Sequence, residues 1–238
     1  MSDPLLQVDE LSKRFDGLTA NENVSFSIDR AEIVGLIGPN GAGKTTLFNC
    51  IAGYFPPTSG SIRFAGKSID RATPERVTEL GIARTFQIVR TFAHMTALEN
   101  VMIGALLRHR DVRKAEERAR GWMEFVGLRR RASADVVSMT VAEQRRLQVA
   151  RALATEPTLL LLDEVMAGLN PAEIQDAIAL MRRIRDSGVA CLIIEHVMEG
   201  IMPIADRIVV LDYGKKIAEG TPAEVVRNPS VISAYLGT

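Results

Sequence analysis

Three short, unbroken apolar runs stand out along this chain: Ile33-Val34-Gly35-Leu36-Ile37, Leu159-Leu160-Leu161-Leu162 and Cys191-Leu192-Ile193-Ile194. A continuous run of this length predicts a strand buried on both faces, as in a parallel sheet with helices or other layers on each side. Val24-Ser25-Phe26-Ser27-Ile28 alternates instead, and Leu6 to about Arg30 predicts antiparallel strands. Gly60 to Lys67 predicts a short edge hairpin, and Thr46 to Ala52 a helix stopped by Gly53. Thr91 to about Val137 predicts a mostly helical insert, Arg146 to Thr155 a further helix, Ile208 to Leu211 a strand, then a turn at Gly214 and a terminal helix. The pattern is that of an α/β fold.

Each apolar run is followed by residues with chemistry. After the first comes Gly38-Pro39-Asn40-Gly41-Ala42-Gly43-Lys44-Thr45, which fits G-x-x-x-x-G-K-[ST] between a strand and a helix. Glycines let the backbone bend and turn its N–H groups inward, and the following helix adds its positive end. The product is a socket for the β- and γ-phosphates of a nucleotide, with Lys44 as a point charge and Thr45 as a hydroxyl for Mg²⁺. The second run ends in Asp163-Glu164, at the strand end where α/β folds place ligands. Asp163 suits Mg²⁺ held through water, and Glu164 is placed to point at the water attacking the γ-phosphate. The third run leads to His196, 33 residues past Asp163 and about one βαβ unit later. A neutral imidazole there suits a bond to the γ-phosphate or the water.

Together these residues resemble the nucleotide-binding subunit of an ATP-binding-cassette (ABC) transporter, over nearly the whole chain from about Leu6. The resemblance assigns Gly38 to Thr45, with Thr46 beside them, to the Walker A loop and Asp163 and Glu164 to the Walker B strand and its catalytic glutamate. Gln87, 43 residues past Lys44, takes the Q-loop position that reaches Mg²⁺ and the transmembrane partner; His196 takes that of the switch histidine. Phe15 falls where the family stacks an aromatic on adenine, and Gly168-Leu169-Asn170-Pro171 falls at the D-loop. Arg84-Thr85-Phe86-Gln87, Met95 to Val101, Glu143 to Leu147 and Ile194 to Met198 resemble the ATPases of branched-chain and hydrophobic amino-acid importers. The resemblance implies a P-loop NTPase of the ABC type, with a mixed sheet core, an antiparallel β subdomain and a helical subdomain. The core and β subdomain would occupy about 1–87 and 156–238 of one domain spanning 1–238, and the helical subdomain about 88–155. It implies ATP and Mg²⁺ as ligands, permease subunits and a second ATP-binding subunit as partners, and a solute-binding protein as an indirect one. Phe86, Phe92, Met95 and Met102 follow the Q-loop, where such apolar residues either pack the core or receive a short permease helix.

Two departures qualify the match. The family signature Leu-Ser-x-Gly-Gln aligns with Met139-Thr140-Val141-Ala142-Glu143. Thr140 keeps a helix-capping hydroxyl. Ala142 adds a methyl where a glycine backbone faces the partner's ATP, and Glu143 adds a negative charge. At about 6 Å and an effective dielectric of about 20, a unit-charge repulsion is roughly 3 kcal/mol, which solvent or the neighbouring Arg145 lowers. Val165 stands where the family has proline after the glutamate. In a heterodimer only one of the two ATP sites would face the altered signature.

Composition adds limits. A chain of 238 residues that is 47% hydrophobic suits one α/β domain with a sizeable core. Its formal net charge of zero gives no general argument for nucleic-acid binding. The arginine-rich stretch from Arg108 to Arg131, interleaved with Glu116, Glu117 and Glu124, is expected to be a solvated helix face with i,i+4 pairs. Cys50 and Cys191 are expected to be buried thiols of a reducing compartment. No run approaches the roughly 18–20 apolar residues of a membrane span, and Met1-Ser2-Asp3-Pro4 lacks signal-peptide character. The expected location is cytoplasmic, on the inner face of the membrane through a permease. Two other readings are an ATPase of a lipid or lipopolysaccharide exporter and a soluble ABC ATPase of translation or repair; the second usually has two cassettes or a coiled-coil insert.

Overall fold

A computed structural model describes residues 3–85 and 92–236. The chain opens with β1 (Leu6–Phe15), β2 (Leu18–Ile28) and β3 (Ile33–Ile37), followed by α1 (Lys44–Ile51). Then come β4 (Ser59–Phe64), β5 (Lys67–Ser68), α2 (Pro74–Leu80) and β6 (Ile82–Arg84). Helices α3 (Ala97–Leu106), α4 (Val112–Phe125) and α5 (Val141–Leu153) follow, with two 3-10 turns before α5. The last part is β7 (Leu159–Asp163), α6 (Pro171–Asp186), β8 (Ala190–Ile194), α7 (Met198–Ile201), β9 (Arg207–Asp212), β10 (Lys215–Gly220), α8 (Pro222–Val225) and α9 (Pro229–Leu236).

These elements form two sheets. One is antiparallel, in the order β2-β1-β4-β5. The other, β10-β9-β3-β8-β7-β6, is parallel except for its β10–β9 pair. The apolar runs are unbroken because both faces of this second sheet are covered. Residues of β3, β7, β8 and β9 alternate between two cores. Ile37, Leu160, Leu162, Cys191, Ile193, Ile208 and Val210 join the core shared with α3 to α6. Leu36, Leu161, Leu192, Ile194, Val209 and Leu211 join the core shared with α1 and the antiparallel sheet. This is the period-2 alternation of a strand with an apolar layer on each side. The register aligns Leu36 with Ile194 and Ile194 with Asp163, so the loops after β3, β7 and β8 leave from one edge.

The helical stretch behaves as charge and periodicity predict. Helix α4 buries Ala115, Ala119 and Met123, a stripe at i, i+4 and i+8. Its outward face carries an i,i+4 pair, Arg120 to Glu116 at 2.7 Å. Helix α5 starts at Val141, where the expected capping hydroxyl of Thr140 places it, and not at Arg146, where the apolar pattern begins it. Thr140 caps it, accepting from the Glu143 N–H while Glu143 accepts from the Thr140 N–H. That capping box places the first turn within the polar segment that the apolar pattern did not mark. Five short elements are not marked by the sequence pattern: α2, β6, α7, β10 and α8. Both cysteines are buried and unpaired with each other, as expected. No helix among the described residues is long and apolar enough to cross a membrane.

Candidate active site

The loop after β3 requires glycine at its two ends. Gly38 has φ 150°, and a Cβ there would collide with the carbonyl oxygen of Leu211 on the neighbouring β9. Gly43, the N-cap of α1, has φ 96°; a Cβ would overlap the Ala20 carbonyl and lie 2.6 Å from Asn21 Nδ2. Asn21 is fully buried and donates to the Gly43 carbonyl at 3.2 Å, tying the loop to β2. Lys44 folds back inside the loop, its Nζ donating to the carbonyls of Gly38 at 2.7 Å and Pro39 at 2.9 Å. Burial pulls the Lys44 ammonium below its ordinary range, and the carboxylates of Glu164 and Asp163 push it back up.

Around this loop lies a cleft of about 420 Å³, lined by Asn40 to Thr46, by Leu18, Thr19 and Ala20 from β2, and by Glu164, His196, Tyr213 and Gly214. Residues 152 positions apart in the chain, Lys44 and His196, thus share one cavity. His196 Nε2 sits 3.1 Å from Glu164 Oε1. Glu164 is a non-glycine residue with φ 50°, in the left-handed region where L side chains are uncommon. Its N–H donates to the Ile194 carbonyl at 2.9 Å, joining the β7 and β8 ends.

Asp163 is buried at the end of β7, and its carboxylate Oδ2 accepts from Arg84 Nη2 at 3.1 Å. Burial raises the carboxyl above its usual range, and the Arg84 guanidinium only partly offsets this. Arg84 also donates to Asn49 Oδ1 at 2.5 Å, with its guanidinium near the rings of Phe48 and Tyr54. In the sequence Arg84 stands only as the first residue of the Arg84-Thr85-Phe86-Gln87 stretch. Its position beside Asp163 follows from the β6–β7 pairing, which no local pattern announces.

Other expected site residues fall elsewhere. Phe15, 37% exposed, ends β1 with its ring edge-on to Phe55 at 5.3 Å, and the cleft is lined at that side by Leu18 to Ala20 instead. Gln87 and Phe86 lie outside the described residues. The Thr140-Val141-Ala142-Glu143 segment does not line the cleft and sits at the start of α5. Glu143 is paired with Arg131 at 3.0 Å, not with Arg145 as the sequence suggested. Arg145 donates instead to the backbone carbonyl of Glu164. Phe92, 49% exposed, lines a separate apolar cleft of about 640 Å³ with Tyr54, Ile103 and Leu107, whereas Met102 packs against the core. Two further residues were given no role from the sequence. Glu195 is fully buried and accepts from the Met166 N–H at 2.7 Å. Tyr235 on α9 brings its hydroxyl to the Gly38 backbone.

Comparison with known proteins agrees with this geometry. Residues 21–167 match the family described as ABC transporter, and residues 215–238 match the family described as branched-chain amino acid ATP-binding cassette transporter. The chain is 42% identical to the high-affinity branched-chain amino acid transport ATP-binding protein BraF of Pseudomonas aeruginosa, covering 100% of this chain and 99% of that one. It is 34% identical to the lipopolysaccharide export system ATP-binding protein LptB of Escherichia coli, covering 98% and 97%. Among solved structures, a nucleotide-free ATP-binding cassette from an ABC transporter superposes with a TM-score of 0.91 at 28% identity, covering 99% and 100%.

Proposed function

The chain belongs to the ABC transporter family, and on that premise we propose that it is the ATP-hydrolysing subunit of an importer for branched-chain or other hydrophobic amino acids. The observation that carries this reading is a full-length relationship to branched-chain amino-acid transport ATPases, which extends to a specific match of the C-terminal 24 residues, 215–238. The exporter reading rests on a more distant relative, at 34% identity.

In this proposal ATP lies in the cleft with its β- and γ-phosphates in the loop from Gly38 through Ala42 to Thr46. Lys44 balances their charge, and the loop N–H groups donate to them. Among the described residues no group of three or more His, Cys, Asp or Glu is placed to hold a metal. Thr45 and Asp163 nevertheless offer a hydroxyl and a carboxylate. Such a small set of hard oxygen ligands suits Mg²⁺, which keeps waters and binds substrate phosphates. Gln87 would complete it. Bound Mg²⁺ would supply charge neutralisation on the phosphates. Glu164 orients a water and takes its proton as the water oxygen bonds to the γ-phosphorus and the bond to the β-phosphate oxygen breaks. His196, at hydrogen-bond distance from Glu164, steadies that carboxylate and the γ-phosphate. Phe15 stacks on the adenine.

We assign about 88–155 to the helical subdomain and the remainder to the core and β subdomain. The apolar cleft containing Phe92 receives the permease, which holds the chain on the inner face of the membrane; a solute-binding protein acts at one remove. ATP binding closes a head-to-tail pair with a second ATP-binding subunit, favoured as a different chain. The test is purification of the complex from its own cells through a tag on this chain. A co-purifying permease and amino-acid-stimulated ATPase lost in Lys44→Ala are expected. Parental turnover by Lys44→Ala refutes the site, and a lipid-stimulated complex refutes the substrate class. For the signature, Glu143 is already engaged by Thr140 and Arg131, so the Ala142 methyl is the remaining obstacle. Ala142→Gly should raise the ATPase rate of the complex if one site is impaired, and an unchanged rate ends the asymmetry idea.

A further inference from the structure

The backbone around Glu164 is bonded by two side chains that do not line the cleft, Arg145 and Glu195. Residue 164 adopts φ 50°, a conformation that an L side chain keeps only when its surroundings impose it. Three contacts do so. The Glu164 N–H is bonded to β8 through Ile194. The Glu164 carbonyl accepts from Arg145 Nη1. Two residues on, the Met166 N–H donates to Glu195 Oε1 at 2.7 Å. Glu195 has no exposed surface, and Arg145 is the cation that favours its ionised form.

Arg145 comes from α5. It lies one helical turn beyond Val141, so the helix that begins with the signature segment also reaches this chain's own hydrolytic loop. Among the described residues two buried polar atoms here lack hydrogen-bond partners: Arg145 Nε, a donor, and Glu195 Oε2, an acceptor. They belong to groups of opposite charge that already attract. Arg145 thus ties the start of α5 to the Glu164 backbone by a hydrogen bond and to Glu195 by charge.

We infer that Arg145 and Glu195 are positioning residues for hydrolysis: they clamp the Glu164–Met166 backbone and make the aim of the Glu164 carboxylate depend on the position of the signature helix. The inference rests on the proposed role of Glu164. Neither residue is assigned a contact with ATP, so the clamp acts on the rate of the chemical step and not on nucleotide affinity.

The test is steady-state ATPase kinetics of the whole complex, purified through a tag on this chain, with Arg145→Ala, Arg145→Lys, Glu195→Gln and Arg145→Ala/Glu195→Gln. Arg145→Ala should lower kcat by roughly tenfold or more while KM for ATP stays within about twofold, because misplacing a reacting group costs rate without removing uniform binding. Arg145→Lys keeps a charge and a donor and should recover part of the loss. The double variant should lose less than the product of the two single effects, as expected for residues in one network. Parental kcat in Arg145→Ala, a loss confined to KM, or independent effects in the double variant overturns the clamp. If Arg145→Ala does not assemble, Arg145→Lys and Arg145→Gln carry the same kcat-against-KM comparison. Glu164→Gln separates this idea from its premise. If that variant hydrolyses ATP normally, the role of Glu164 fails and the clamp falls with it. If it is inert while Arg145→Ala is unimpaired, the clamp alone is wrong.

Discussion

Arg84→Ala removes the cation from a buried pair and should be costly well beyond the loss of one surface charge. The side chains of Arg84 and Asp163 are only 10% and 5% exposed, and Nη2 and Oδ2 lie 3.1 Å apart. Truncating one partner of such a pair leaves an uncompensated buried charge, at about 3–5 kcal/mol. That is a large part of the roughly 5–15 kcal/mol by which a domain is stable. For a chain of this size each kcal/mol moves Tm by about 2–4 °C, so a fall of roughly 6–20 °C is expected. Thermal unfolding followed by circular dichroism at pH 7, without nucleotide, reads it. Burial already holds the Asp163 carboxyl above its usual range, and removing Arg84 pushes it higher. A group raised in the folded state stabilises fully below its unfolded pKa and loses that contribution as pH rises through the folded one. The Arg84→Ala deficit should therefore shrink towards pH 4 and grow towards pH 8. Arg84→Ala/Asp163→Asn, which buries no charge, should be more stable than Arg84→Ala. A Tm within about 2 °C of the parent, or a deficit independent of pH, would show that Asp163 does not depend on Arg84.

Three more outcomes are expected. Gly43→Ala, which forces an L side chain to φ 96° and against Asn21 Nδ2, should abolish ATP binding in isothermal titration; affinity within about twofold of the parent would contradict the close approach. Burial pushes the thiols of Cys50 to about 11 and Cys191 to about 12, so neither should react with a disulfide reagent at pH 8 until the chain unfolds, and rapid labelling of the native protein would refute their burial. Burial raises the Glu195 carboxyl from 4.5 to about 7, which favours its neutral form on folding by about 3 kcal/mol. That contribution is full below 4.5 and lost as pH rises through about 7, so Glu195→Gln should lose less stability between pH 5 and 8 in urea unfolding; an identical pH slope would sink the assignment.

What was legible in the sequence was what repeats locally. Leu159 to Leu162 and Cys191 to Ile194 announced strands because each faces two cores, and every residue in them must be apolar. The loop from Gly38 to Thr45 was legible for a different reason: its function demands residues at fixed spacing. The elements that escaped are those whose stability comes from elsewhere. Strand β6 has three residues and exists through its pairing with β7; among the described residues β10 pairs only with β9, and it is mostly polar. The first turn of α5 carries its signal in a cap instead of a stripe, and Thr140 with Glu143 three residues later was the pattern that could have moved the helix start to Val141.

The same distinction divides the site. Glu164 and His196 could be expected to meet because each follows an apolar strand, and parallel strands of one sheet deliver their ends to one edge. Their supports could not. Arg84 lies 79 residues from Asp163, Asn21 lies 22 from Gly43, and Arg145 lies 19 from Glu164. Each support is fixed by tertiary packing and has no periodicity of its own. Each support answers a need of the residue it touches: Arg84 offsets part of a buried charge, Asn21 anchors a glycine loop, and Arg145 and Glu195 bond the backbone around Glu164, itself in a disfavoured conformation. A reacting residue can be read from the kind of chemistry it performs. The residues that make its geometry affordable can be read only from what the fold places against it.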